Sequence, residues 1–309
     1  GNLTLNSAGG IDLGKINFTG NTNGVVEQLA TQPINIAELT MLKTGTGTIT
    51  INDPVSISIS ATFTSGNIIS SLANTLLFLD NATATGASDA SFVSGPVTKE
   101  GNDAFIFPTG KNNVYAPPGI TAPALATDAF RAEYFNTNPG LVYNPAQHDA
   151  TINHISRREY WMLDRTNGAA TPKVTLSWKT IRSGVVNILP DLLVAHWNST
   201  TWKDEGNGGT TGTIAEGTIQ SLNTISSFSP FTLASSSVNN PLPVNFILFN
   251  AILRADQTVL LQWKTEQEIN NAYFEIQRSA DGINWQKVTV VFPHPSHNYE
   301  SVDNAVAAG

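Results

Sequence analysis

Apolar residues alternate with small polar ones through the first 92 residues, and this alternation restricts the possible folds more than any other feature. The recurring units are Leu3-Thr4-Leu5, Ile11-Asp12-Leu13, Ile16-Asn17-Phe18, Ile34-Asn35-Ile36, Ile49-Thr50-Ile51 and Val55-Ser56-Ile57-Ser58-Ile59. A period of two places successive side chains on opposite faces of a strand, whereas a helix requires a period near 3.6. The pattern therefore predicts strands with one buried and one solvated face.

Turn residues separate these strands and leave little room for long connections, as in Thr44-Gly45-Thr46-Gly47 and Asn52-Asp53-Pro54. Short strands with tight corners are typical of a parallel β-solenoid, in which each rung buries its inward residues against its neighbours. Bulky aromatics such as Phe105 and Phe107 then predict a cap over the last rung. We predict a β-solenoid-like region with its cap over residues 1–112. A plain antiparallel sandwich is the alternative.

Residues 113–236 contain further alternating segments and are predicted to form a β-sandwich. In residues 174–178 the apolar side chains share one face and two hydroxyl residues share the other. We expect Trp161, Trp178 and Trp197 to anchor the core of this region. The glycine-rich segment 207–212 predicts a loop rather than a strand.

A linker follows at residues 235–243, where serines and asparagines give way to Pro241 and Pro243. We therefore predict a third region over residues 237–309. In it, Val259, Leu261 and Trp263 alternate with their neighbours, and residues 280–282 predict a hairpin turn. The whole chain is predicted to be all-β.

Composition excludes several classes of function. Only 13% of the 309 residues are charged, against roughly 25% in an average soluble domain. The formal net charge of -8 and the absence of a basic run argue against nucleic-acid binding. The chain has no cysteine, so it has neither disulfides nor thiolate ligands. No apolar run approaches the roughly 20 residues of a membrane span.

The third region resembles the fibronectin-type-III-like modules near the carboxyl ends of large Bacteroidota exoproteins. The matching segments are Pro241-Leu242-Pro243-Val244, Leu261-Gln262-Trp263-Lys264-Thr265 and residues 274–285. Upstream segments that resemble the region preceding this module in the same proteins are 94–99, 107–111, 133–135, 159–165 and 227–231. The resemblance implies an incomplete fibronectin-type-III/Ig-like sandwich after the β-sandwich.

The same resemblance implies a cell-surface or extracellular location and, as partners, the type IX export and attachment machinery. In that family a further small β-domain directs export, and we expect the chain to end before any such domain. It also ends before the last strands of the module, so we expect residues 241–309 to be incompletely packed, completed by another chain, or part of a longer polypeptide.

The sequence predicts no catalytic residue, no metal site and no cofactor. The closest histidine pairs are His148 with His154, beside Asp149, and His294 with His297, and both read as loop histidines. No Gly-x-Ser-x-Gly or phosphate-loop motif is present. Calcium is the inorganic ligand most compatible with exported β-proteins, but no Asp-x-Asp-x-Asp repeat occurs.

Carboxylates that could meet in space for glycoside hydrolysis are Glu133, Glu159, Asp164, Asp204 and Glu205. Arg165 follows Asp164 and Lys203 precedes Asp204. Surface ion pairing with these neighbours explains both acids without catalysis. The chain is therefore expected not to be an enzyme.

Aromatic residues provide the only candidate ligand-binding surface. Trp202, Tyr134 and Tyr143, together with Phe135 and Trp197, could form a stacking platform for sugars. Trp202 follows the turn residues 198–201, which predicts an exposed position at a hairpin tip. Tryptophan in alternating strands is nevertheless more often a core residue than a platform.

Two functions from different classes follow. The leading hypothesis is a non-enzymatic structural or adhesive surface protein, with a solenoid stalk, connecting sandwich modules and a surface glycan or self-association as its contact. The alternative is a carbohydrate-binding accessory region of a secreted polysaccharide-degrading enzyme. The chain could also have been captured as cargo of the export machinery.

Overall fold

The computed structural model describes residues 2–6, 10–29, 33–45, 47–240, 246–265, 273–279, 282 and 284–304. The chain divides into two compact units, Gly1–Asn240 and Pro241–Gly309. Parts of the predicted linker and of the predicted hairpin turn at 280–282 lie outside the described residues. No helix in the described part of the chain has the length and apolar character needed to cross a membrane.

The first unit begins with a parallel β-solenoid of about four turns. Its strands are β1 (Leu3–Leu5), β2 (Ile11–Gly20), β3 (Gly24–Gln28), β4 (Ile34–Lys43), β5 (Thr48–Ile51), β6 (Val55–Ser65), β7 (Asn67–Ile69), β8 (Leu76–Phe78), β9 (Thr83–Thr85), β10 (Val93–Ser94) and β11 (Val97–Glu100). One parallel sheet follows the order β1-β3-β5-β7-β10, and the other follows β2-β4-β6-β8-β11. The predicted all-β fold with a parallel β-solenoid is confirmed, and the antiparallel alternative for this region is wrong.

Stacked apolar side chains form the interior of the solenoid. Along the second sheet, Ile34 pairs with Val55, Val55 with Leu76 and Leu76 with Val97, and all four side chains are buried. Each rung therefore buries its inward face on the next rung, which is why a short alternating repeat suffices to build a core.

The last rung is closed by Lys99 and a group of phenylalanines. Lys99 occupies the position in β11 that Phe78 occupies in β8, and it is 1% exposed. Its Nζ donates to the carbonyls of Leu79 and Ala82 at 2.8 and 3.2 Å and lies 2.5 Å from Asp103 Oδ2. Phe105 packs on Phe78, with ring centroids 5.1 Å apart. The lysine stem extends the apolar stack while its ammonium satisfies free carbonyls at the end of the stack.

The remaining elements of the first unit are mostly antiparallel strands. They are β12 (Phe105–Ile106), β13 (Thr109–Lys111), β14 (Val114–Tyr115), β15 (Gly119–Ile120), β16 (Ala129–Phe135), β17 (His154–Ile155), β18 (Tyr160–Asn167), β19 (Val174–Lys179), α1 (Thr180–Ser183), β20 (Leu192–Trp197), β21 (Trp202–Asp204), β22 (Thr210–Gly212), β23 (Glu216–Gln220) and β24 (Phe231–Ser235). Short 3-10 turns occupy Pro139–Leu141 and Leu189–Asp191.

The sheet of the solenoid continues into these strands without a break. β11 is parallel to β8 on one side and antiparallel to β16 on the other, and the order then runs β16-β18-β24-β20-β21. A separate five-stranded sheet has the order β12-β15-β19-β23-β22. Strand pairing therefore crosses the predicted boundary between residues 112 and 113.

Two local predictions for this region meet different outcomes. Trp161 and Trp178 are buried, as expected of core anchors, whereas Trp197 is only partly buried. The segment 207–212 is not wholly a loop, because β22 pairs with β23 from Thr210 to Gly212. Gly212 adopts a φ of 84°, which allows a tight hairpin to form from residues with little side-chain signal.

The second unit contains five described strands in two small sheets. They are β25 (Phe246–Leu253), β26 (Val259–Thr265), β27 (Phe274–Arg278), β28 (Gln286–Val291) and β29 (Asn298–Asp303). Trp263 stacks on Tyr299 with centroids 5.3 Å apart and contacts Phe274 at 5.6 Å. An open apolar cleft adjoins Trp263, and Trp285, which also lines the cleft, is 60% exposed.

Candidate functional site

A contiguous group of rings lies on one face of the long sheet of the first unit. We call Phe135, Tyr143, Tyr160, Trp197 and Trp202 the aromatic strip. Phe135 and Tyr160 stack in parallel with centroids 4.7 Å apart, because they pair across β16 and β18. Tyr143 contacts Tyr160, Trp197 and Trp202 at 5.8, 5.9 and 5.9 Å. Strand pairing, together with the loop that holds Tyr143, thus assembles four of the five aromatic residues named from the sequence.

Trp202 is not exposed at a hairpin tip, contrary to the prediction. Its side chain is 0% exposed, because it packs in a cluster formed by Ile152, Ile155, Leu193, Ala195 and Ala234. The indole Nε1 has no hydrogen-bond partner among the described residues. Trp202 therefore supports the strip from below and cannot stack on a ligand. Phe135, Tyr143 and Trp197 are the partly exposed members.

Tyr134 lies apart from the strip in the protein interior, which also corrects the prediction. Its hydroxyl donates to Glu159 Oε2 at 2.8 Å, and the same oxygen accepts from Arg182 Nη1 at 2.5 Å. Arg182 Nη2 donates to Ser177 Oγ at 2.7 Å. Burial and the neighbouring Glu159 raise the pKa of Tyr134, so this hydroxyl stays protonated. The group is a buried ion pair with structural partners on several strands.

Charged groups border the exposed end of the aromatic strip. Lys111 Nζ lies 5.1 Å from the centroid of Phe135, and Arg131 pairs with Asp164 at 3.0 Å. Burial raises the pKa of Glu133, although Lys111 and Arg131 act against that rise. Burial also raises the pKa of Tyr143. This edge offers apolar ring faces beside hydrogen-bonding groups, an arrangement suited to a ligand with both apolar and hydroxyl surfaces.

A second cleft of about 570 Å³ lies where a solenoid turn meets the hairpin β22–β23. Lys179 Nζ lies 2.7 Å from Asp89 Oδ2 and 3.8 Å from Glu216 Oε2. Burial alone would raise the pKa of Asp89, yet hydrogen bonds from Lys179 and from the backbone N–H of Tyr115 lower it. Glycoside hydrolysis requires one carboxyl held protonated. The two carboxylates instead share a lysine, so the group serves as an ionic clasp.

No sequence pattern predicts this clasp, because Asp89 and Lys179 are 90 positions apart. The register of β19 against β23 brings Lys179 opposite Glu216. Pairing across strands is visible only once the hairpin partners are known.

The other carboxylates named from the sequence do not converge. Asp164 pairs with Arg131 rather than Arg165, and Lys203 pairs with Asp149 at 2.9 Å rather than with Asp204. The remaining partners are Arg182 for Glu159 at 2.5 Å and His196 for Glu205 at 3.3 Å. Adjacent residues in a strand point to opposite faces, so the sequence neighbours were the wrong partners.

The histidines likewise form no metal cluster among the described residues. Asp149 is occupied by Lys203 Nζ and by the backbone N–H of Asp204, 2.9 and 3.1 Å away. His154 is buried against the carbonyl of Asn240, and burial lowers its pKa. His294 is exposed and contacts Ser296 Oγ at 2.9 Å.

Comparison of the chain with protein-family models, curated proteins and solved structures finds no match.

Proposed function

We propose that this chain is a structural, adhesive part of a cell-surface protein, in which the solenoid acts as a stalk and the sandwich strands connect it to further modules. The observation that supports the proposal best is the continuity of the long sheet. Because β11 bonds to β8 and to β16, backbone hydrogen bonds pass directly from the stalk into the connecting module. A load applied to one region is then shared by the other.

Two side-chain groups support the same role. Lys99 closes the solenoid interior, and the Asp89–Lys179 clasp ties a solenoid turn to β19. The first group completes the interior of the stalk, and the second joins the stalk to the connecting module. The first unit therefore has the arrangement expected of a rigid spacer.

Export by the type IX secretion system and attachment at the cell surface are part of this proposal, and they rest on the resemblance of residues 241–285 and the upstream segments. The low share of charged residues and the absence of cysteine fit an exported β-protein. Self-association or a surface glycan is the proposed contact.

Surface labelling of the producing cells tests the proposal. An antibody against the first unit should label intact cells, and protease treatment of intact cells should remove the signal. Deletion of the region encoding residues 1–240 should reduce cell attachment while export of the remaining protein continues. Labelling that appears only after permeabilisation would contradict a surface location.

Carbohydrate binding is the second candidate, and the aromatic strip is the observation that favours it. A glycan array with the full chain should give binding that Tyr143→Ala or Trp197→Ala weakens at least tenfold. Trp285→Ala is the matched control, since Trp285 is an exposed tryptophan in the other unit. Equal binding by all variants would exclude the strip as the sugar site.

A further inference from the structure

Strand β25 lies at one edge of the three-stranded sheet of the second unit, which has the order β25-β26-β29. It pairs regularly with β26 from Leu248 to Leu253, and its other edge has no partner strand among the described residues. Phe249 and Leu253 are 61% and 63% exposed on one face, and Leu248 and Ile252 are exposed on the other. Exposed apolar side chains beside unpaired backbone N–H and C=O groups are a template for another strand.

The sequence of β25 distinguishes it from the other described edge strands of this unit. β25 contains no charged residue. In contrast, β27 carries Glu275 and Arg278, β28 carries Lys287, and β29 carries Glu300 and Asp303. Charged residues on an edge strand oppose pairing with another chain. The edge of β25 lacks that protection.

An open apolar cleft of about 440 Å³ adjoins β25 on one face. Phe249 lines the cleft together with Leu261 and Trp263, and Phe249 lies opposite Trp263 across the pair β25–β26. Strand addition at a sheet edge draws affinity from main-chain hydrogen bonds and specificity from pockets for alternate side chains. β25 offers both the free main chain and the adjoining apolar surface.

We propose that β25 pairs antiparallel with β25 of a second copy of this chain, so that the two sheets join into one. The inference rests on the self-association proposed above and identifies the surface that carries it. A two-fold axis at Asn250 gives a self-complementary register. In it, Leu248 lies opposite Ile252 of the second copy, Phe249 lies opposite Ala251 of the second copy, and the two Asn250 side chains face each other. Their amides both donate and accept hydrogen bonds, so they can pair.

A second copy is the occupant because its β25 matches this edge in charge, polarity and size. No pair within β25 brings two charges together, the amide meets an amide, and the phenylalanine meets an alanine. Each copy offers one such edge in the part of the chain that the structure describes. The pairing therefore closes after two copies and gives a dimer rather than a fibre.

Sedimentation velocity of the full chain over a range of concentrations tests the proposal. The parent should form a dimer, and Asn250→Lys should weaken dimerisation at least tenfold, because two lysines would face each other across the axis. Gln262→Lys is the matched control. Gln262 lies opposite Asn250 on the same face but in β26, away from the free edge, so this variant should dimerise like the parent.

Charge reversal separates loss of pairing from loss of folding. Asn250→Glu should weaken dimerisation as Asn250→Lys does, and an equimolar mixture of the two variants should restore the dimer, because lysine then faces glutamate. A misfolded variant would not be rescued by mixing. The chain has no cysteine, so Asn250→Cys should give a disulfide-linked dimer under mild oxidation, whereas Gln262→Cys should not.

A parent that stays monomeric at every concentration would overturn the inference and leave this edge to a strand of another protein. Dimerisation that survives Asn250→Lys, a mixture that restores nothing, or a growing series of larger oligomers would each overturn it as well. The two proposals fail separately. A monomeric parent leaves the surface labelling of cells unchanged, and cells without surface labelling leave the dimer in solution unchanged.

Discussion

The two units of this chain share the same alternating sequence pattern, but they bury their apolar residues to very different degrees. In the solenoid, Leu76 is 0% exposed, whereas Leu253 and Phe292 of the second unit are 63% and 71% exposed. A solenoid rung supplies the next rung with a packing surface, so every inward residue is covered by its neighbours. The five described strands of the second unit form two small sheets that cover Trp263 and Tyr299 but leave many other side chains open. Alternation specifies strands, and burial requires a second layer.

Removal of a buried guanidinium should have the largest effect. Arg182→Met leaves Glu159 buried without a counter-ion and with only the Tyr134 hydroxyl donating to its Oε2, so we expect the first unit to lose about 3–5 kcal/mol in its free energy of unfolding. The matched change in the second unit, Arg278→Met, breaks a pair whose arginine is 34% exposed although Asp303 is buried, and it should cost less, about 1–3 kcal/mol. Urea denaturation followed by circular dichroism measures both. Equal losses would mean that the buried ion pair of the first unit stabilises it no more than the more exposed pair stabilises the second unit.

Two leucine truncations compare the packing of the units directly. Leu76→Ala should destabilise the first unit by about 2–5 kcal/mol, because it leaves a cavity between Val55 and Val97. Leu253→Ala should change the second unit by less than about 1 kcal/mol, since this side chain is largely in solvent. Calorimetry that showed a large loss for Leu253→Ala would indicate a covering layer over the second unit.

Tryptophan fluorescence compares the burial of side chains in the two units through substitutions that change each core little. Trp285→Phe should remove the red-shifted emission that acrylamide quenches readily, because Trp285 is 60% exposed. Trp161→Phe, which affects a ring that is 0% exposed, should remove blue-shifted emission that acrylamide quenches poorly. Strongly buried emission from Trp285 in a monomer would refute the expectation that residues 241–309 are incompletely packed.

Loosening the clasp should have the smallest effect. Asp89→Asn is expected to cost the first unit about 0.5 kcal/mol, because both partners are partly exposed. The pKa of Asp89 is lowered below its ordinary value of 3.8 in the folded protein. The stabilisation is therefore fully present above about pH 4 and is lost as the pH falls through the folded pKa. Chemical denaturation of the parent and the variant at pH 7 and pH 3 should show the difference shrinking at the lower pH.

Much of the first unit could be predicted because its contacts repeat at a nearly constant interval in the sequence. The stack of Ile34, Val55 and Leu76 follows from apolar residues that recur after each set of turns. The buried face of β19 could also be predicted, because alternation places Trp178 on one face of the strand and Thr175 on the other.

The candidate site was less predictable, because its members come from separate strands and loops. Tyr134 and Phe135 are neighbours in β16 that point to opposite faces of the sheet. Only their contacts show that Tyr134 faces the interior, where it bonds to Glu159, and that Phe135 belongs to the aromatic strip. No local pattern predicts that Asp128 is buried, since its burial depends on where Gly168 comes to lie.

From the sequence alone it follows that this chain is built of strands and has no cysteine chemistry, and a parallel solenoid is favoured over an antiparallel sandwich for its first region. These properties depend on local periodicity and composition. Tertiary contacts account for the burial of Trp202, for the continuation of the solenoid sheet through β16 and for the burial of Asp128 beside Gly168. Each of those results depends on which distant segments meet, and period-two alternation states that a face is buried without stating what covers it.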